Sequence, residues 1–421
     1  MILEHIHIRD LFDGTGNPIQ KNIVLIVENN RINAIIPFHE TYRNKITQDL
    51  SNHTIFPYLA DAHVHLAMSG TLNLKDRHKQ LSMNFDQAKN QIKKHLDQYA
   101  KAGIKIVRDG GDRFGHTFQF KKLFNHGVEI LSPEMAWYRT GRYGQFAGKS
   151  IDSTDDSLKI ISSQHQGNHI KIIQSGINSV REFAKETSPQ FSLKELTSIC
   201  QWGNQRNRPV MVHANGIQAV KIAIDAGCTS IEHGYFMGED NLKKMADKQI
   251  FWVPTLIPMF KLAQNLSKPE EKDIALRTFD MQCEMVSKAI NWRVPIAIGS
   301  DSGSFGVDHV QGLFDEMKLM MTCGFSFSQV IQCCTTSCRQ LFRYSDAGLI
   351  KQGEMAQFIA VESTPISLEN NISKLPNSKI NIIFFGDVRA KKNVRLYRNV
   401  PDECLKNHQS EILGAIVEKK T

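Results

Sequence analysis

The stretch FPYLADAHVHL, residues 56–66, places two histidines one residue apart at the end of an apolar run. Side chains of an extended strand alternate between two faces, so His63 and His65 project on the same side, about 6 to 7 Å apart along the backbone. Two imidazoles placed in this way can converge on one metal ion. The stretch therefore predicts a strand that carries two metal ligands at its carboxyl end.

The same spacing occurs near the N-terminus, where His5 and His7 lie in LEHIHIRDL, residues 3–11. A metal ion in a protein needs roughly three to six donor atoms, so two histidines alone do not identify a site. No further donor segment accompanies the N-terminal pair. We therefore expect His5 and His7 to lie away from any metal centre.

Short apolar runs rich in valine and isoleucine recur along the chain, each followed by Gly, Asn or Asp and then by a segment of helical period, such as residues 85–103. Alternation of strand and helix over eight units predicts an α/β fold, a (β/α)8 TIM barrel covering residues 55–345. The eight runs are TIFPYLADAHVH (54–65), GIKIVRDGG (103–111), VEILSPEMA (128–136), HIKIIQSG (169–176), PVMVHANG (209–216), TSIEHGYF (229–236), IFWVPTL (250–256) and PIAIGSDSG (295–303).

Side chains that can bind a metal recur in these runs, and the active sites of such barrels lie at the carboxyl ends of the strands. A single histidine there is commonly a hydrogen-bonding structural residue. Six suitable groups on five runs instead predict one metal centre. These groups are His63, His65, Lys171, His213, His233 and Asp301.

These runs resemble the amidohydrolase superfamily, in particular its imidazolonepropionase-like and prolidase-like metal-dependent hydrolases. The resemblance rests on DAHVH, IKI with SG, VHANG, SIEHG and GSDSG in the first, fourth, fifth, sixth and eighth runs. It extends over nearly the whole chain and implies that residues 1–54 and 346–395 form a small β-sandwich domain built from both termini. The tail, residues 396–421, is expected to be a short helix without an assigned function.

The resemblance implies two divalent metal ions as cofactors. Imidazole, carboxylate and carbamate donors accept zinc, manganese, iron or cobalt, and we expect zinc. A lysine ammonium cannot bind a metal, whereas its carbamate can, and burial beside cations favours loss of the positive charge. The family pattern assigns the first ion to His63, His65 and Asp301, the second to His213 and His233, and the bridge between them to carbamylated Lys171.

The implied reaction is hydrolysis of an amide-type C–N bond by a hydroxide that bridges the metals. Asp301 is the expected catalytic residue, which accepts the proton of the attacking water and delivers it to the departing nitrogen. The expected small-molecule substrate is a dipeptide-like molecule with a free carboxylate, or a cyclic amide such as a hydantoin or lactam.

Substrate-binding residues are expected in the loop WYRTGRYGQFAGK, residues 137–149, and after the fifth run. Loops at the carboxyl ends of barrel strands bind substrates, and a cationic, aromatic loop suits a substrate with a carboxylate. An asparagine amide can donate a hydrogen bond to a carbonyl oxygen. The predicted residues are Arg139, Arg142, Tyr143 and Asn215.

Composition favours neither nucleic acid nor a membrane as partner. The net charge is +8, but the basic residues are scattered, and no apolar run reaches about 18 residues. Eight cysteines are too few for a disulfide scaffold in a chain of 421 residues. We interpret Cys333, Cys334 and Cys338 as buried helical thiols and expect a reducing, cytoplasmic location; a homo-oligomer is compatible with the resemblance.

Three alternatives to this reaction remain open at this point. A mononuclear aminohydrolase of the same superfamily would use His63, His65, His233 and Asp301, but its usual acid is missing, because Glu232 directly precedes His233 and should point the opposite way in a strand. A non-catalytic amidohydrolase-like scaffold is disfavoured because every ligand position is retained. A binding protein that uses the basic surface lacks any supporting motif.

Overall fold

The computed structural model describes residues 3–345, 348–362, 365–377, 382–385 and 394–397. The strands are β1 (Leu3–Leu11), β2 (Gln20–Glu28), β3 (Arg31–Pro37), β4 (Gln48–Pro57), β5 (Leu59–Val64), β6 (Ile104–Asp109), β7 (Glu129–Leu131), β8 (Ala136–Arg139), β9 (Gly148–Ile151), β10 (Ile170–Ile173), β11 (Val210–Ala214), β12 (Ser230–His233), β13 (Phe251–Val253), β14 (Phe358–Val361), β15 (Ile382–Phe385) and β16 (Val394–Tyr397).

Thirteen α-helices accompany these strands within the described residues, together with two 3-10 helices, Glu40–Lys45 and Ile372–Asn377. The α-helices are α1 (Leu74–Gln80), α2 (Phe85–Lys101), α3 (His116–Leu123), α4 (Ser157–Gln164), α5 (Leu193–Gln205), α6 (Ile217–Asp225), α7 (Glu239–Lys248), α8 (Leu256–Asn265), α9 (Pro269–Trp292), α10 (Gln311–Thr322), α11 (Phe327–Cys334), α12 (Thr336–Leu341) and α13 (Pro365–Asn371).

Strands from both ends of the chain join in one seven-stranded sheet, in the order β16-β15-β14-β4-β1-β2-β3. The two ends meet where β4 pairs antiparallel with β14. In β1, Ile6 and Ile8 are buried while His5 and His7 alternate with them, as the strand period requires. A small terminal β unit is thus present, and β4 extends it to Pro57, past the expected boundary at residue 54. A two-layered sandwich and the exact domain limits stay predictions.

The central strands form two parallel sheets, β5-β6-β7 and β13-β12-β11-β10-β8-β9. The four residues of β10 and the five of β11 are all buried, as expected for parallel strands covered by helices. The predicted mixed α/β fold is confirmed, and seven of the eight apolar runs contain a strand. In run order these are β5, β6, β7 with the start of β8, β10, β11, β12 and β13.

The third run is interrupted rather than continuous. Pro133 and Glu134 separate β7 from β8, and Glu134 has a φ of 71°, which an extended strand does not permit. Because β7 pairs with β6 and β8 pairs with β10, this interrupted stretch connects the two parallel sheets.

The eighth run, residues 295–303, is not a regular strand, which corrects the prediction for this segment. Asp301 has a φ of 53°, so the extended conformation ends there. Two isolated parallel bridges nevertheless join the run to its neighbours, Ile296 to Trp252 and Ser302 to Val64. The run therefore lies between β13 and β5.

Helix α2 illustrates how the covering helices are specified. Asn84 accepts a hydrogen bond from the N–H of Gln87 in a capping box at its start. Ile92, Leu96 and Tyr99 form part of its buried stripe. Residues 85–103 were predicted as helix, and α2 occupies Phe85–Lys101.

The cysteine-rich segment consists of buried thiols, as expected. Cys333 and Cys334 end α11, which begins after its N-cap residue, Ser326. Cys338 lies in α12, and its Sγ contacts the carbonyl oxygen of Cys333 at 3.1 Å. The C-terminal tail from residue 398 onwards lies outside the described residues, and in the described part no helix is long and apolar enough to cross a bilayer.

A buried carboxylate fastens β5 to the eighth run. Asp61 is fully buried and accepts hydrogen bonds from the backbone N–H of Ser300 at 2.9 Å and from its hydroxyl at 2.6 Å. It also accepts the N–H of His63 at 3.2 Å. Burial raises the pKa of Asp61 to about 7, against these hydrogen bonds. These hydrogen bonds between Asp61 and the eighth run, here called the Asp61 seam, hold His63 and Asp301 next to each other.

We predict that Ser300→Ala lowers the free energy of unfolding by about 2 kcal/mol, because it removes a hydrogen bond from a buried carboxyl oxygen. Ser162→Ala is the control, since the Ser162 hydroxyl lies on the exposed face of α4 and should change stability by less than about 0.5 kcal/mol. Urea unfolding followed by tryptophan fluorescence measures both. Equal stabilities of the two variants would contradict the importance of the seam.

Candidate metal centre

A pocket of about 330 Å³ lies where the parallel strands end. Its predicted metal ligands come from β5 and the residue after it, from the adjacent strands β10, β11 and β12, and from the eighth run. Each is at most 8% exposed. The structure brings all six predicted ligands into this one pocket, namely His63, His65, Lys171, His213, His233 and Asp301.

Three of these residues form a compact donor set. The Nε2 atoms of His63 and His65 lie 3.7 and 3.4 Å from Oδ1 of Asp301, and one donor atom from each of the three lies within 4.8 Å of the others. His63 Nε2 and Asp301 Oδ1 are buried and make no hydrogen bond within the described part of the chain. Because buried polar atoms are normally paired, this set of two imidazoles and a carboxylate fits a divalent metal ion.

Burial would raise the pKa of Asp301, but its contact with His65 and the nearby His63 outweigh burial and lower that pKa. The Asp301 side chain is therefore a carboxylate at neutral pH. Its second oxygen, Oδ2, accepts a hydrogen bond from the Ser304 hydroxyl at 2.8 Å. That bond orients Oδ1 toward the two histidines.

Lys171 is the most unusual member of the pocket. Its Nζ is buried and has no hydrogen-bond partner among the residues that the structure describes, and the residue is 1% exposed. Burial lowers its pKa to about 8, which increases the neutral fraction of the amine. An isolated buried ammonium is costly, so a larger share of Lys171 is neutral at pH 7 than of an exposed lysine, with the ammonium still the major form.

His213 and His233 lie beside Lys171 in the pocket, with ring centroids 4.6 Å apart. His213 Nε2 is 3.2 Å from the carbonyl oxygen of Gly176, and His233 Nδ1 is 2.7 Å from the Thr255 hydroxyl. Burial lowers both pKa values, that of His233 to about 4. Both rings are therefore neutral at pH 7, the form that binds metals.

A buried ion pair holds the Nδ1 side of the His63 ring. Its Nδ1 lies 2.8 Å from Oε2 of Glu232, whose Oε1 accepts a hydrogen bond from Arg108 at 2.8 Å. Arg108 in turn donates to the carbonyl oxygen of Ala62 at 2.7 Å. Carboxylates in this position orient a metal-binding histidine and raise its basicity. The arrangement leaves His63 Nε2 free to face Asp301.

The role of Glu232 was not predicted, because side chains alternate along a strand and Glu232 was expected on the opposite face from His233. The structure shows both side chains near His63, since the His233 ring centroid is 5.0 Å from that of His63. His233 has a φ of 67°, so the backbone leaves the extended conformation at this residue and alternation fails. The N-terminal pair behaves as expected: His5 and His7 lie in β1 and do not line the pocket.

The predicted substrate-binding residues divide into two groups. Tyr143 and Asn215 line the pocket. Arg142 borders a neighbouring groove and donates to the carbonyl oxygen of Ser188 at 2.6 Å. The structure thus brings one aromatic and one amide side chain to the metal centre, without Arg142.

Arg139 is also placed away from the pocket, because it is the last residue of β8 rather than part of the loop. Its Nη1 donates to the carbonyl oxygen of Asp152 at 2.7 Å, and its Nη2 forms an ion pair with Glu195. The guanidinium also stacks over the Phe191 ring at 4.7 Å. These contacts give Arg139 a structural role and leave it no exposed surface for a ligand, with 6% of it exposed.

Residues 54–390 match the model of the amidohydrolase family. The chain belongs to this family. It is 30% identical to the ochratoxinase of Aspergillus niger over 143 residues, which span 32% of this chain and only 29% of that protein. The predicted family and class of enzyme are confirmed.

Solved structures of amidohydrolases share the fold over nearly the whole chain. A Xaa-Pro dipeptidase with bound methionine has a TM-score of 0.76 at 23% identity, covering 94% of this chain and 100% of its own. A prolidase complexed with N-methylphosphonate-L-proline has a TM-score of 0.76 at 18%, covering 95% and 100%. The ochratoxinase of A. niger has a TM-score of 0.72 at 18%, covering 91% and 94%.

The rest of the amidohydrolase pocket contains features that the sequence motifs did not indicate. One is Arg77 of α1, a cationic residue that belongs to none of the motifs identified in the sequence. The others are apolar side chains contributed largely by α8. The main apolar lining residues are Phe146, Ile173, Pro258, Met259, Leu262 and Phe305.

We predict that Glu232→Gln weakens metal binding by about 10- to 100-fold, because an amide cannot bind both His63 and Arg108 as a carboxylate does. The matched control is Glu270→Gln in the exposed first turn of α9. Competition with a chelator of known affinity measures the change. Unaltered metal affinity in folded Glu232→Gln would show that the ion pair does not orient His63.

Proposed function

We propose that the chain is a metal-dependent hydrolase that cleaves an amide-type C–N bond in a small carboxylate-bearing substrate. The observation that carries the proposal is the group of buried atoms without hydrogen bonds in one pocket: His63 Nε2, Lys171 Nζ and Asp301 Oδ1. Metal ions and a carbamate would satisfy all three. Membership of the amidohydrolase family supports the same chemistry.

We also infer that the parallel strands close into the predicted (β/α)8 barrel. The interrupted third run links the two parallel sheets on one side. On the other side the eighth run bridges β13 and β5. The ring has eight positions when β7 and β8 are counted together as the third run. The barrel would occupy residues 55–345, and the terminal β unit would draw on residues 1–54 and 346–395.

The proposed cofactors are two divalent ions, with zinc as the first candidate. When bound, such ions polarise a carbonyl oxygen and lower the pKa of water towards about 7. Lys171 would bridge them after CO2 adds to its neutral amine, which forms an N–C bond and releases a proton. The first ion would be held by His63, His65 and Asp301, and the second by His213 and His233.

The chain's own side chains would then position the substrate and move the proton. The Asp301 carboxylate is placed to accept a proton from the attacking water and return it to the leaving nitrogen. Burial raises the pKa of Tyr143, so its hydroxyl stays protonated and can donate to a substrate oxygen. Asn215 offers an amide in the same pocket, where it is braced by the Gly176 carbonyl oxygen at 3.3 Å.

The contacts of Glu232 favour amide hydrolysis over a mononuclear deaminase. A deaminase needs an acid that can reach a substrate ring nitrogen. Glu232 is instead fully buried and bound to both His63 and Arg108. This acid therefore supports the metal ligand rather than a substrate.

The names of the similar proteins direct the first substrate panel. They include a dipeptidase, a prolidase and an ochratoxinase. The panel should therefore contain dipeptides, N-acyl amino acids and cyclic amides, assayed with protein produced in zinc and kept in bicarbonate. Hydrolysis of a C–N bond in at least one of these classes is the expected result.

We predict that Lys171→Ala loses nearly all of this activity and regains part of it with added acetate or propionate, since a free carboxylate can replace the carbamate bridge. Lys149→Ala is the control, because Lys149 is exposed in β9 and bonds to Gln164. The comparison is of turnover with and without the carboxylate. Absence of rescue in a folded variant would argue against the carbamate, and an inactive wild-type protein across the panel would argue against the proposed reaction.

A further inference from the structure

Arg77 is a cation built into the wall of the metal pocket. It lies on α1, in the connection that follows β5, and its side chain lines the same pocket as the six ligands. Its Nη1 donates to the carbonyl oxygens of Ser69 and Gly303, each at 3.2 Å. Both bonds use the same nitrogen, so the guanidinium is held on one side and keeps Nε and Nη2 for another partner.

No ion pair joins Arg77 to a carboxylate among the described residues. The charge is nevertheless partly buried, and burial lowers the pKa of Arg77, although Asp301 and Tyr143 act in the opposite direction. An arginine remains protonated at neutral pH in such surroundings. A partly desolvated cation that lacks a protein anion is a suitable binding group for an anionic part of a ligand.

Another part of the pocket wall is apolar and rigid. Pro258, Met259 and Leu262 of α8 line it together with Phe305. The start of α8 is fixed by Glu316, which accepts hydrogen bonds from the first two backbone N–H groups of the helix at 2.8 and 2.7 Å. A pocket wall with a guanidinium group on one part and apolar side chains on another suits a ligand that carries an anion and an apolar group.

We propose that Arg77 binds the free carboxylate of the substrate, and that the α8 wall receives its apolar group. The substrate class is therefore an amide formed by the amino group of an apolar amino acid. Water adds to the amide carbon, the C–N bond breaks, and the products are a carboxylate and the free amino acid. This assignment rests on the proposed function and deepens it by identifying the specificity-determining residue.

Arg77 could also act only as a brace, because Gly303 lies two residues after Asp301 and receives one of its hydrogen bonds. A brace would affect every substrate equally. A carboxylate-binding residue affects only substrates that carry the carboxylate. A charged substrate and its neutral isostere separate the two roles.

The test compares N-acetyl-L-phenylalanine with N-acetyl-L-phenylalaninamide as substrates, with acetate release as the readout. We expect Arg77→Met to lower kcat/KM for the carboxylate by about 10- to 100-fold, mainly through KM, and to change that for the carboxamide by less than about threefold. Arg142→Met is the matched control, since Arg142 lies outside the pocket. Equal losses on both substrates, or no loss on either, would overturn the assignment.

Calorimetric binding of N-acetyl-L-phenylalanine to the metal-loaded protein keeps the test independent of turnover. About tenfold weaker binding to Arg77→Met, with unchanged binding to Arg142→Met, supports the assignment even if no substrate of the panel is cleaved. Equal affinities, or no binding to the wild-type protein, overturn it. Metal content and the thermal unfolding midpoint of each variant confirm that the comparison is made on folded, loaded protein.

Discussion

Ionisable side chains are buried around one pocket, and the surrounding fold must hold them there despite the cost of removing them from water. A buried polar atom without a hydrogen bond costs roughly 1–3 kcal/mol, and a buried unpaired charge costs more. Lys171 Nζ, His63 Nε2 and Asp301 Oδ1 are three such atoms within one pocket. Two surrounding contacts keep them in place: the Asp61 seam with Ser300, and the ion pair behind His63. The fold thus holds together polar atoms that no other group in the described part of the chain satisfies.

Much of the fold, and the six residues that meet in the pocket, could be predicted from the sequence, because both follow from local pattern. Apolar runs of four to eight residues identify parallel strands, and donors at their ends identify the pocket. Prediction failed where the backbone departs from the strand conformation. The positive φ of Asp301 ends the extended conformation in the eighth run. The positive φ of His233 breaks the alternation of side chains, which had predicted that Glu232 points away from the metal ligands. The sequence pattern also predicted that Arg139 lies in a loop. It is instead the last residue of β8, and Glu195 neutralises its charge in an ion pair.

Arg77 and Glu232 could not be predicted, because their environment is made by residues distant in the sequence. Arg77 stands in a polar helix, LKDRHKQ, whose composition is that of a solvated surface. Its guanidinium is held at the pocket by the carbonyl oxygens of Ser69 and of Gly303, the second of which is 226 residues away. Glu232 likewise becomes a support for His63 through a contact across 169 residues. Long-range contacts of this kind place Arg77 and Glu232, while local pattern indicates the candidate metal ligands.

The number of metal ions bound per chain distinguishes a binuclear centre from a mononuclear one. The protein should be produced with added zinc, kept in bicarbonate, freed of loosely bound metal and measured by plasma mass spectrometry. We expect about two ions per chain, as for a binuclear centre bridged by a carbamate. About one ion would restrict the site to His63, His65 and Asp301 and contradict the bridge. No bound ion after reconstitution would contradict the metal centre itself.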